Sequence, residues 1–172
     1  MELVQELSQL MGDPFESVAD ILIPSVLRLC ARANKVFVTS AVACITTCIQ
    51  SSLIPSLVPI FFEAMSSSSK SLRQSGAFFL SLQLQVSLER GKSRIEPYVE
   101  TMEAAIRLGI SDSTSDVRET CKKIFETYRI LFDLRLERYE VACMGRIVKE
   151  ENPLTLSSVT KISLLPFLSD SF

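Results

Sequence analysis

The sequence predicts an all-α protein, a stack of antiparallel helix pairs, and three observations predict it. Apolar residues recur at helical spacing, as in Ile95, Tyr98, Val99, Met102, Ala105 and Ile106, and nothing comparable alternates at the period of a strand. Helix-start signals punctuate the chain, from Asp13-Pro14-Phe15-Glu16 onward. A plan of apolar helix, proline and lysine repeats after 35 residues. The 172 residues are 47% hydrophobic with only 5 Gly, at a mean hydropathy of +0.27, which gives a single domain enough apolar surface for a core.

The elements follow in order. The spacing predicts helices over 2–11, 14–31, 35–50, 53–65, 71–89, 94–108, 115–131 and 133–149. Asp13 supplies a cap, Pro14 a first-turn proline and Glu16 an N3 carboxylate for the second of them. Ser71-Leu72-Arg73-Gln74, Ser93-Arg94-Ile95-Glu96 and Ser113-Thr114-Ser115-Asp116 resemble further capping boxes, and Asn34 and Ser52 are candidate caps for two more starts. The charge-free stretch from Val36 to Phe62 is broken by Thr46, Thr47, Gln50, Pro55 and Pro59, so it reads as two buried helices rather than a membrane span.

The repeat sets the architecture. A shift of 35 residues lays Leu22-Ile23-Pro24-Ser25-Val26-Leu27 over Leu57-Val58-Pro59-Ile60-Phe61-Phe62, Lys35 over Lys70 and Ser40-Ala41 over Ser75-Gly76. A looser third copy aligns Asp116-Val117-Arg118 with Ser71-Leu72-Arg73 and puts Cys121 at the small position. Spacings of roughly 35 to 45 residues are those of helical pairs of the HEAT or armadillo kind, in which each pair buries its stripe only by stacking on neighbours. Ala41, Gly76 and Cys121 should lie where paired helices approach closely, and Gly76→Ala would stabilise the helix if that face were exposed. Pro24 and Pro59 should each bend a first helix. The domain is expected to span 1–150. Asn152-Pro153 ends its last helix, and the apolar, serine-containing segment 151–172 is either an end cap or a partner-binding tail.

Composition excludes several function classes. The chain has no His, which removes the commonest general base, metal ligand and activator of a Ser or Cys nucleophile. Five Cys with no signal-peptide pattern suit a reducing, intracellular setting, and Cys44 and Cys48, one helical turn apart, read as buried structural thiols. The glycines are isolated, so no phosphate-cradling loop exists. No enzyme, cofactor or metal is expected. A net charge of −2 argues against a general nucleic-acid binder, and no membrane partner is expected.

The informative residues are the turns inside the repeats. Lys35 follows Asn34, Lys70 and Arg73 flank Ser71, and Arg118 follows Asp116. A cation in a helix's first turn opposes the macrodipole, at a cost of about 0.3–1 kcal/mol each at exposed positions. Either these cations line one edge of the stack as a basic stripe, or they are scattered solvated charges. Ser66 to Ser69 read as plain loop.

At these turns the segments ANKVFVTSAVACITTCIQ, LIPSLVPIFFEAMSSSSKSLRQSGAFF and IRLGISDSTSDVRETCKKIFETYRILF resemble the later repeats of a TOG domain of the CLASP family of microtubule-associated proteins, over roughly residues 1–150. The resemblance implies a partial TOG-type array whose intra-repeat turns bind tubulin and suppress microtubule catastrophe or promote rescue. Carried over by position, it implies tubulin contacts at Asn34, Lys35, Val36, Lys70, Ser71, Arg73 and Arg118, and a cytoplasmic protein on microtubules and the spindle. It also implies that the chain starts in the second helix of the second repeat, so that the first repeat, with the Trp that usually contacts tubulin, is missing. Acidic tubulin is the partner a basic stripe would need, and reversing Lys70 and Arg73 to Glu is expected to abolish binding while leaving folding intact. The alternative is a HEAT-like scaffold for another protein.

Overall fold

A computed structural model describes residues 1–132 of the chain, and the expected helix over 133–149 and the segment 151–172 lie outside the described residues. Seven α-helices make up this part: α1 (Glu2–Met11), α2 (Glu16–Leu29), α3 (Lys35–Ser51), α4 (Leu57–Met65), α5 (Lys70–Arg90), α6 (Val99–Ile110) and α7 (Ser115–Leu131). No strand occurs among the described residues. The fold is all-α and HEAT-like. Helices α2 and α3, α4 and α5, and α6 and α7 pair, α1, α3, α5 and α7 stack as one layer, and α2, α4 and α6 form the other.

The core lies between the layers, where Ile23, Ile45, Ile49, Phe61, Phe79, Leu80, Met102, Ile106, Ile124 and Tyr128 are fully buried. Phe61 of α4 and Phe79 of α5 bring their ring centroids within 5.6 Å. The expected small positions are where helices meet. Ala41, Gly76 and Cys121 are all buried, and a Cβ on Gly76 would lie 2.7 Å from the Phe61 carbonyl oxygen and 3.0 Å from Ala64 Cβ. The face is therefore closed, so Gly76→Ala overpacks it and the stabilisation expected for an exposed helix does not apply. In the next pair the close approach falls on the first helix, where a Cβ on Gly109 would overlap Cys121 Sγ.

Several starts differ from the sequence pattern, each for a local reason. Asp13 does not cap α2; Asp13–Phe15 form a 3-10 turn entered through Gly12 at φ +61°, a left-handed conformation that suits glycine. The helix expected from residue 53 begins at Leu57, because Ile54 precedes Pro55 and is pushed out of helical geometry. Leu53, Ile54 and Pro55 are buried instead. Pro59 consequently sits in the first turn of α4, where its missing N–H is not needed, and Pro24 alone lies inside a helix. Ser52 caps no start: it closes the end of α3 and its hydroxyl donates to the Gly12 carbonyl at 2.8 Å. Ser69 rather than Ser71 caps α5, accepting from Leu72 N–H at 3.5 Å. The chain reaches α6 through a 3-10 turn at Glu96–Tyr98, with Pro97 in place of a capping box.

Candidate functional site

The three turns inside the pairs, 30–34, 66–69 and 111–114, share one edge. Arg73 in the first turn of α5 reaches Asp112 in the α6–α7 turn at 2.7 Å, and Gln74 reaches Asp116 at 2.8 Å. The connections between pairs hold the opposite edge. There Arg90 donates to the Gln50 and Ser51 carbonyls, and Arg94 pairs with Asp13 at 3.2 Å and Glu16 at 2.6 Å.

The first turn presents its residues through a cap. Asn34 is extended and its Oδ1 accepts from Val36 N–H at 2.9 Å, which satisfies a free donor of α3. That bond places Lys35 and Val36 in the first helical turn, exposed, with Val36 70% and Phe37 51% accessible. At the second turn the Ser69 cap likewise leaves Lys70 and Ser71 exposed.

Arg73 and Arg118 behave differently from the two lysines. Arg73 is forked onto Asp112, with Nε to Oδ2 at 2.7 Å and Nη2 to Oδ1 at 3.3 Å, while Nη1 donates to the Ser67 and Ser68 carbonyls at 3.2 and 3.1 Å. Their side chains are only 17% and 7% exposed. Burial works against the Asp112 carboxylate, but Arg73 and the Thr114 N–H and hydroxyl outweigh it and hold its carboxyl below the ordinary range. Arg118 donates to the Asp112 carbonyl at 2.8 Å. Arg73 binds the second turn to the third and Arg118 closes the third turn on itself, so reversing Arg73 breaks an internal ion pair, and a Lys70 and Arg73 double reversal does not spare folding as the sequence suggests.

The first two turns keep free cations. Among the described residues no ion pair or side-chain hydrogen bond engages Arg28, Arg32, Lys35 or Lys70, and all four are exposed. Sequence reasoning passed over Arg28 and Arg32. Arg32 was legible as a cation between the end of one helix and the Asn34 cap of the next. Asp112 was also missed as a partner, although it lies in the segment IRLGISDSTSDVRETCKKIFETYRILF, six residues before Arg118.

Cysteine chemistry does not add a site. Cys30, Cys44, Cys48 and Cys121 are free and buried. Burial pushes the Cys30 thiol up, and burial with the nearby Asp112 charge pushes Cys121 up to about 12. The Cys48 contact lowers Cys44 and raises Cys48 in turn. All but Cys44 are thus held as thiols, poor nucleophiles and poor ligands. Among the described residues no cluster of three or more His, Cys, Asp or Glu could hold a metal, and no helix is long and apolar enough to cross a membrane.

Two layers of paired helices with a capped, cation-bearing turn edge define a HEAT-like helical-repeat domain. The chain belongs to the CLASP family: the sequence model described as CLASP N terminal matches residues 1–138. It is 29% identical over 132 residues to CLIP-associating protein 1 of Xenopus tropicalis, covering 77% of this chain and 9% of that protein. Its identity to CLIP-associating protein 1-B of Xenopus laevis is 30% over 119 residues, covering 69% of this chain and 8% of the relative. The chain thus matches under a tenth of each relative's length.

Proposed function

We propose that this domain is a non-catalytic tubulin-binding module of the CLASP type that regulates microtubule dynamics in the cytoplasm, on the microtubules of the cytoskeleton and spindle. The observation that carries this reading is the set of exposed, unpaired cations at the first two turns, Arg32, Lys35 and Lys70, on a chain whose net charge is −2. A cation kept in a helix's first turn costs stability, and an acidic protein surface repays that cost on association. Asn34 and Ser69 set the backbone that presents these lysines, Val36 and Ser71 flank them, and Arg73 with Arg118 braces the edge.

The test is co-sedimentation of the full chain with microtubules. The Lys35→Glu, Lys70→Glu double variant breaks no internal contact, so circular dichroism should show it folded, and its binding should be lost. Folded protein that still pellets like the wild type would overturn the turn-edge reading and leave the scaffold for another partner.

A further inference from the structure

Helices α2 and α4 leave a cleft between them near the turn edge, with a volume of about 170 Å³. Pro24, Leu27 and Arg28 of α2, Ile60, Glu63 and Ala64 of α4, Ser67 of the turn and Leu72 of α5 line it. Its floor is apolar: Leu27 and Ala64 are 4% and 8% exposed, and Pro24, Ile60 and Leu72 are half-buried. Ile21, one turn before Pro24, is 75% exposed. The proline inside α2 explains the gap in part, since its ring and missing N–H prevent regular packing at that level.

Arg28 and Glu63 both line the cleft, and the residues that flank its lining in sequence add cations. Arg28 lines it, Arg32 and Lys35 follow in the adjoining turn, and Lys70 begins the helix that supplies Leu72. None is paired among the described residues, and Glu63 is the single carboxylate of the lining. The volume suits one or two side chains rather than the long stripe of a docked helix. Unpaired cations select carboxylates, and the apolar floor selects a bulky hydrocarbon side chain.

We propose that the α2–α4 cleft docks an acidic, extended peptide segment that seats an apolar side chain on Leu27, Ile60, Ala64 and Leu72 and sets carboxylates against Arg28 and Arg32. The cleft shares Arg32 with the turn edge proposed for tubulin, but its floor of Leu27, Ile60, Ala64 and Leu72 belongs to the helices and is what distinguishes the two sites.

The probe is a short fluorescein-labelled peptide of Glu and Ser with one central Phe, titrated with the full chain and followed by anisotropy. Saturable binding is expected, weakened by about tenfold or more in Arg28→Glu, in Ile60→Ser and on replacing the peptide's Phe by Ser. Ile60→Ser should leave microtubule co-sedimentation unchanged, which separates this site from the turn edge. Arg28→Glu touches no internal partner, so it decides the matter should Ile60→Ser unfold. The absence of saturable binding, binding indifferent to Ile60→Ser and to the Phe replacement, or displacement of the peptide by an oligothymidylate or by anionic vesicles would each overturn the proposal.

Discussion

At residue scale, Asp112 is a largely buried charge on which the turn edge depends. Its carboxylate neutralises Arg73 and accepts the Thr114 N–H at 2.7 Å. Asp112→Asn leaves a mostly buried guanidinium without its anion, and we expect a loss of about 1–3 kcal/mol in a urea melt at neutral pH. The carboxyl is held below its ordinary value in the folded state. Its stabilisation is therefore fully present above the unfolded value of about 3.9 and is lost as pH falls through the lower folded value. The gap between wild type and Asp112→Asn should narrow as melts are taken to pH values progressively below the ordinary carboxylate range; a gap constant with pH would show that the charge is not the cause. Gln83 presents the opposite case, a fully buried amide whose Nε2 and Oε1 find no hydrogen-bond partner. Gln83→Met keeps volume and removes the orphaned groups, so the urea midpoint should rise by the equivalent of about 1 kcal/mol; a lower midpoint would mean that the amide is satisfied by buried water.

At the scale of elements, the α4–α5 pair depends on the missing side chain at Gly76. Backbone carbonyl and Ala64 Cβ both stand within 3.0 Å of where a Cβ would go, and neither can swing away as the end of a flexible side chain would. Gly76→Ala should lower the denaturation midpoint by the equivalent of about 1–3 kcal/mol and Gly76→Leu by more. An unchanged midpoint in both would place α5 in another register. The caps show how far an element is written locally. Asn34 caps α3 as its sequence neighbourhood indicates, since the bond spans two residues. The start of α4 does not follow from Ser52, because that hydroxyl is drawn to Gly12, 40 residues away.

At the scale of the whole molecule, the proposed function rests on charges that folding leaves unpaired among the described residues. With Arg73 and Arg118 committed to Asp112, the attraction proposed for tubulin rests on Arg32, Lys35 and Lys70. Such attraction is screened over about 8–10 Å at physiological ionic strength, so added salt should weaken microtubule co-sedimentation steeply. Asp112→Asn should preserve that salt slope if it weakens binding by loosening the edge. Binding that does not change with salt would shift the contact to apolar groups such as Val36 and Phe37.

The sequence by itself determined the helical class, the pairing repeat, the family and the turn positions that carry cations, because each is written in spacings short enough to read along the chain. Tertiary structure decided which cations are free. Lys70 and Arg73 are three residues apart and look alike in sequence. The Arg73 partner lies 39 residues away, and only stacking of the second and third pairs brings that carboxylate to the guanidinium. The cleft between α2 and α4 was hidden for the same reason: its floor combines residues from three helices and its lip gathers charges from two turns, and no local pattern encodes their meeting.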